Sequence, residues 1–405
     1  MEEKTKYIES KTRNMQELYD RELTLPCIVL CAMLFLIMGV LPIVPSRITI
    51  FCRPLFIFVA SFTMYRSYPL RSSRWQIALS VYFLLIFIFN RVTRSSWESF
   101  ISHELFILFF LFSSSRVWSR REIHQFLDTL IFSCDVQAIV VIFSNSMLLY
   151  AGGQQHINYL WISTNRNPIA FAIVPGAIAS LLKITFSKTG VKTSIFRFYW
   201  IFSFVLCAYA VFAIGCRSAF YSLCLGIFCV IWERIKKTRN RAEKFIKELL
   251  ILILVLTAVV ILMRVAIGAY SERLFSIEDS GRKALWEHAA ELIKKKPVFG
   301  GGFDYWGSAE YMMGTHNTFI TYLLEGGAVA AFLVGIHLLL LGWEVMETGS
   351  AIPFAFLAET LMHMFTETGM DYYAYLPMIF CLILANYIRY QDNVWYLFNG
   401  SRRGY

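Results

Sequence analysis

Charge is what this chain has least of. Only 16% of its 405 residues are Asp, Glu, Lys or Arg, while 57% are hydrophobic and 36 are Phe. The apolar residues come in long uninterrupted runs, which excludes an ordinary soluble fold and points to a membrane protein. Other absences narrow the function. There is no Walker-type glycine loop, which argues against an ATP-driven pump, and no Gly-x-Ser-x-Gly turn to expose a serine nucleophile. No Asp-x-Asp motif stands where it could hold a sugar-nucleotide metal. No internal repeat is evident, which weighs against the inverted-repeat transporter plans. The nine Cys all lie within or beside apolar runs, so no disulfide framework is expected. Charged residues fill the first 24 positions and no small-residue cleavage site follows the first run, so a cleaved signal peptide is not expected.

What is present is a series of apolar spans near the ~20 residues needed to cross a bilayer. We read about twelve, at 25–44, 49–65, 75–91, 99–114, 127–149, 168–187, 197–214, 218–233, 248–268, 317–343, 350–368 and 372–389. The expected fold is therefore an all-α polytopic membrane protein. Its parts are an N-terminal segment 1–24, spans over 25–268, a polar loop 269–316, spans over 317–389 and a tail 390–405. Most Lys and Arg fall on the side that holds both termini and the connections near 66–74, 115–126, 188–197 and 234–247. The positive-inside rule puts that side in the cytoplasm and turns the long loop outward. The net charge of +10 is met by cytoplasmic connections facing anionic membrane lipids, and calls for no nucleic acid.

The outward loop is the only long polar stretch between spans. Within it, Leu285, Ala289, Leu292 and Ile293 recur at helical spacing and predict an amphipathic helix beginning near Gly281. Lys294 to Lys296 suit its C-terminus, and Pro297 stops it. Gly300-Gly301-Gly302 then predicts a flexible turn before the chain re-enters the membrane at His316.

Few side chains here can do chemistry. His316 sits at a water–membrane boundary, where an imidazole is suited to taking a proton near neutral pH; the alternative is a ring resting among headgroups. Arg217, in the tight turn Gly215-Cys216-Arg217-Ser218, offers a planar, permanently charged fork for phosphate oxygens, or it snorkels to lipid phosphate. Arg282 and Arg273 in the loop share that ambiguity. Arg166 and Asn317 are further cavity candidates. In the eleventh span Glu359, His363 and Glu367 fall on one helix face, with Asp371 beyond its end. They could line a cavity, relay protons in a transporter, or pair with one another. A single stripe gives too few directions to ligate a metal, and no metal or cofactor is expected. Asp135 and Glu325 are further acids within apolar spans.

These residues resemble the O-antigen ligase family, which is related to O-antigen polymerases and protein O-oligosaccharyltransferases. The likeness rests on Cys216-Arg217-Ser218-Ala219, on Gly281-Arg282 with Leu285-Trp286, on Pro297 with Gly300-Gly301-Gly302, and on His316-Asn317 leading to Leu324-Glu325-Gly326. It rests equally on a large loop before the tenth of twelve spans. The resemblance implies metal-independent transfer of polysaccharide from undecaprenyl diphosphate to a sugar hydroxyl of lipid A–core, at the periplasmic face of a bacterial inner membrane. It implies His316 as base and Arg217 and Arg282, with Arg273, on the diphosphate. A polymerase extending glycan on the lipid carrier shares this pattern, and a proton-coupled or lipid-linked-sugar transporter is the alternative from another class.

Overall fold

The structure is a computed structural model that describes residues 23–40, 46–63, 71–89, 94–116, 118–144, 156–159, 162–187, 191–236, 246, 282–303, 305–306, 315–367 and 372–391. These form helices and one two-stranded hairpin. The helices are α1 (Leu25–Leu34, continuing as a π-helical stretch Phe35–Val40), α2 (Ser46–Thr63), α3 (Arg71–Phe89), α4 (Arg94–Ser115) and α5 (Arg120–Ser144). They continue as α6 (Arg166–Phe186), α7 (Val191–Ile214), α8 (Arg217–Ile235), α9 (Arg282–Lys295), α10 (Thr318–Met346), α11 (Ile352–Thr366) and α12 (Tyr372–Gln391). The hairpin pairs β1 (His156–Tyr159) antiparallel with β2 (Ile162–Asn165), directly before α6.

Among the described residues, five stretches are long and apolar enough to cross a membrane: Arg120–Ser144, Asn167–Phe186, Ile195–Ile214, Arg217–Ile235 and Thr318–Met346. Shorter apolar stretches of other described helices accompany them: Leu25–Val40, Pro54–Thr63, Arg74–Phe89, Ile352–Thr366 and Leu376–Arg389. The described residues thus carry fewer full-length spans than the twelve read from the sequence. The expected span 248–268 and the loop up to Gly281 lie outside them. Helix α11 is short for a physical reason. Its 15 residues rise only ~22 Å, against a hydrocarbon core of ~30 Å, because the backbone turns extended at Glu367.

Local signals explain several boundaries. Helix α5 opens on a capping box: the Ser119 N–H donates to Glu122 Oε2 at 2.8 Å, and the Glu122 N–H donates to Ser119 Oγ at 3.2 Å. Helix α6 carries Pro175 internally and lies very close to α5. A Cβ added at Gly176 would stand 2.3 Å from the Cβ of Cys134. The acids inside the helix pack are placed individually. Asp135 accepts from Ser203 Oγ at 2.6 Å, Tyr199 Oη at 3.0 Å and Cys207 Sγ at 3.5 Å. These are the partners that its sequence position alone did not disclose.

Helices α8 and α11 pack side by side, and they run in opposite directions, since the end of α8 meets the start of α11. At one end the Glu233 carboxylate accepts from the Ala351 N–H at 2.9 Å, and Lys236 donates to the Gly349 carbonyl. Arg217 and Glu367 each lie about sixteen residues from that anchor, a rise of ~24 Å along either helix. The two therefore emerge at the same end of the pair.

Helix α10 is broken at Gly327, whose φ of 64° and ψ of −161° leave the helix. A break inside an apolar helix orphans backbone groups that lipid cannot satisfy. Here the loop after α9 satisfies them. The N–H groups of Gly301 and Gly302 donate to the carbonyls of Leu324 (2.7 Å) and Glu325 (2.9 Å), while Ala328 and Val329 donate back to the carbonyls of Pro297 (2.9 Å) and Val298 (3.3 Å). Tyr82 Oη closes the gap by donating to the Gly326 carbonyl at 2.8 Å. The triple glycine is thus a hydrogen-bonded plug, not the flexible turn that its composition predicts. Gly300 and Gly327 both have positive φ, and a Cβ on either would meet backbone at 2.4 Å and 2.3 Å. Gly327→Val should therefore cost stability through strain and overlap together, on the order of 2–4 kcal/mol. Gly335→Val is the control, since nothing lies within 4 Å of a Cβ there. Thermal melting of purified protein by size exclusion checks this: Gly327→Val should melt well below wild type, and Gly335→Val close to it.

Candidate active site

Glu367 organises the site. It follows the last residue of α11, and its side chain is 6% exposed. Its backbone is fixed at both ends: the N–H donates to the His363 carbonyl at 2.8 Å, and the carbonyl accepts from Thr318 Oγ1 at 3.0 Å. Its carboxylate gathers three partners from three separate parts of the chain. Asn167 Nδ2, at the start of α6, donates to Oε1 at 2.7 Å. An Arg282 guanidinium nitrogen, at the start of α9, stands 3.6 Å from Oε1. His316 Nδ1 lies 3.3 Å from Oε2. The buried carboxylate is thus set behind two cationic or basic groups, Arg282 and His316, whose side chains are 22% and 20% exposed. A buried carboxylate needs such partners, and these in turn are oriented by it.

His316 occupies a special backbone position. Its φ of 49° is in the left-handed region, which is uncommon for a side-chain-bearing residue and costs ~1–3 kcal/mol. The neighbours over-determine that turn. Asn317 caps α10, its Oδ1 accepting from the N–H groups of Phe319 (3.0 Å) and Ile320 (3.1 Å). Its Nδ2 donates to the Phe365 carbonyl at 3.2 Å, tying α10 to the end of α11. Asn317, expected as a cavity residue, therefore has its side chain engaged in structure. On the other side, Thr315 Oγ1 donates to the Asn317 carbonyl at 3.0 Å, and Trp286 Nε1 donates to the Thr315 carbonyl at 2.9 Å.

Helix α9 delivers Arg282 and Trp286 from one face, a turn apart. Of the predicted apolar set, Leu285 and Ala289 are buried while Leu292 and Ile293 are half-buried; the helix packs against α10. Arg217 begins α8 at the Glu367 end of the α8–α11 pair. Arg166 is the first residue of α6, and its side chain lies outside the described set, as do Arg273 and Asp371. The expected stripe on α11 is divided. Glu367 joins the site, whereas Glu359 and His363 are each 1% exposed inside the helix pack, with the His363 ring 4.7 Å from that of Phe171.

Two residues of the site were not nominated for it from the sequence, although Trp286 stands among those that carry the resemblance. Asn167 is adjacent to the nominated Arg166, and its only signal is a short polar run before an apolar span. Trp286 stood within the loop helix but nothing there tied it to His316. Chemically, the assembly offers an imidazole whose Nδ1 faces a carboxylate. That orientation makes Nε2 the basic nitrogen. Beside it lies a guanidinium whose other N–H groups can meet an anion. It is a set that can accept a proton and hold negative charge close by.

A search of curated proteins finds no match to the chain. Residues 202–335, which run from within α7 into α10 and carry Arg217, Arg282, the Gly300–Gly302 plug, His316 and the α10 break, match the family model described as O-antigen ligase.

Proposed function

We propose that this chain is a membrane-embedded O-antigen ligase, transferring polysaccharide from undecaprenyl diphosphate to a sugar hydroxyl of lipid A–core. The observation that carries the reading is the joining of His316 and Arg282 by the buried Glu367 carboxylate. A base and an anion-binding cation, both from the stretch that matches the O-antigen ligase model, converge on a carboxylate that lies beyond that stretch.

A sugar hydroxyl is far too weak an acid to ionise alone at neutral pH. In the proposed step its oxygen attacks the anomeric carbon of the donor as His316 Nε2 removes its proton. The new glycosidic C–O bond forms while the bond from that carbon to the diphosphate oxygen breaks, and the electron pair leaves with the diphosphate. Glu367 holds the imidazole by Nδ1 and stabilises the imidazolium that results. Arg282, with Arg217 at the same end of the bundle and Arg273, takes up the charge gathering on the departing diphosphate; such fixed charges act strongly where water is scarce. Diphosphate leaves readily, so the step balances without a metal or a separate acid. The proposed setting is a bacterial inner membrane, both termini cytoplasmic and the site facing the periplasm.

The test is reconstitution. Purified chain in liposomes receives undecaprenyl-diphosphate-linked glycan and lipid A–core, with EDTA and without ATP. Glycan-bearing lipid A–core is the expected product. Glycan lengthened on the carrier alone would identify a polymerase, and neither product from folded protein with cognate substrates would point to transport. In the same assay Arg217→Ala should cost about tenfold or more, as loss of a charge-assisted contact to phosphate does; unchanged transfer would remove Arg217 from the diphosphate.

A further inference from the structure

Trp286 is the one large apolar side chain of α9 that is turned outward beside the site. It is 39% exposed, although its indole N–H is anchored at 2.9 Å to the carbonyl of Thr315, the residue before His316. It stands one helical turn after Arg282, the partner of Glu367. An indole has two resources, a single N–H donor and a broad π face. The donor is engaged by the Thr315 carbonyl, which fixes the ring against the backbone that carries His316. What remains for a ligand is a flat, partly solvated aromatic face, held rigidly within a residue of the imidazole. A pyranose presents one side of C–H groups, apolar and weakly positive, that complements such a face, while its hydroxyls stay at the rim.

We propose that Trp286 is a sugar-stacking subsite that seats the acceptor pyranose so that its attacking hydroxyl meets His316. The assignment to acceptor, which rests on the ligase reading above, follows from the neighbour: Trp286 is tied to the segment of the base that deprotonates the acceptor. It also accounts for an exposed tryptophan on a helix whose other outward residues are mostly charged.

Two measurements test it. In the first, full chain labelled with 5-fluorotryptophan is titrated with glucose and galactose, with glycerol as the polyol control. The fluorine resonance that disappears in Trp286→Phe should move with the pyranoses and not with glycerol; no movement overturns the subsite. This readout needs no turnover, so it stands apart from any failure of the ligase reading. In the second, Trp286→Phe, Trp286→Leu and Trp286→Gln are compared in the transfer assay. Phe keeps an aromatic face without the donor and should hold most of the acceptor affinity while lowering kcat. Leu and Gln should raise KM for lipid A–core roughly tenfold, the scale of one stacked ring, with KM for the lipid-linked donor unchanged. If Gln behaves like wild type while Phe fails, Trp286 serves only to tether Thr315. If the donor KM rises instead, the acceptor assignment is wrong.

Discussion

His316→Ala is expected to lower glycan transfer by about 10²–10⁴-fold, the usual worth of a positioned general base, with the protein still folded. The size follows from the attacking group. A sugar hydroxyl must lose its proton as the glycosidic bond forms, and in the proposed step His316, whose Nδ1 faces Glu367, takes it at Nε2. The alanine variant should change kcat far more than either KM, because deprotonation is felt in the transition state and hardly in binding. Removal of His316 also relieves no cap, since Asn317 caps α10 through its own side chain. The melting temperature should fall only modestly, since Asn167 and Arg282 still meet the buried Glu367 carboxylate. Near-normal turnover in purified His316→Ala would withdraw the base assignment.

Glu367 gives the second large effect, and the pattern across variants matters more than any one value. Glu367→Gln keeps an acceptor for His316 and Asn167 but removes the charge that supports an imidazolium and pairs with Arg282. It should fold and lose at least about tenfold in kcat, and up to the ~10⁴-fold seen when the carboxylate behind a general-base imidazole becomes an amide. Glu367→Ala goes further, leaving the Arg282 guanidinium and the Asn167 amide facing a void. It should lose activity and melt lower as well. A purely structural role predicts instead that stability falls in step with activity in both variants. Steady-state kinetics paired with melting curves on the same preparations separates the two.

How far the sequence discloses this site depends on how local each cause is. His316 and Arg282 stand out because polar groups are scarce in this chain. The α9 helix is legible because Leu285 and Ala289 repeat at helical spacing and do bury. Glu367 is visible as an acid on an apolar span, but its separation from Glu359 and His363 depends on α11 ending at Thr366; no residue type there announces the stop. The α10 break is harder still. Gly326-Gly327 lies within an apolar run, and the donors that make the break possible come from Gly301 and Gly302, outside that helix altogether. Likewise the hairpin His156–Asn165 lies in a connection too short and too mixed in character to declare itself. Spans are the reverse case: composition announces them readily, but their lengths depend on breaks and caps.

The most direct test of the account is stoichiometry in a single-turnover reaction. Undecaprenyl diphosphate released and glycan joined to lipid A–core are counted together, with and without acceptor and with His316→Ala alongside. The account predicts one diphosphate released for each glycan transferred, both dependent on the acceptor and both slowed together in the variant. Diphosphate released without acceptor, or glycan moved with its bond to the carrier intact, would contradict it.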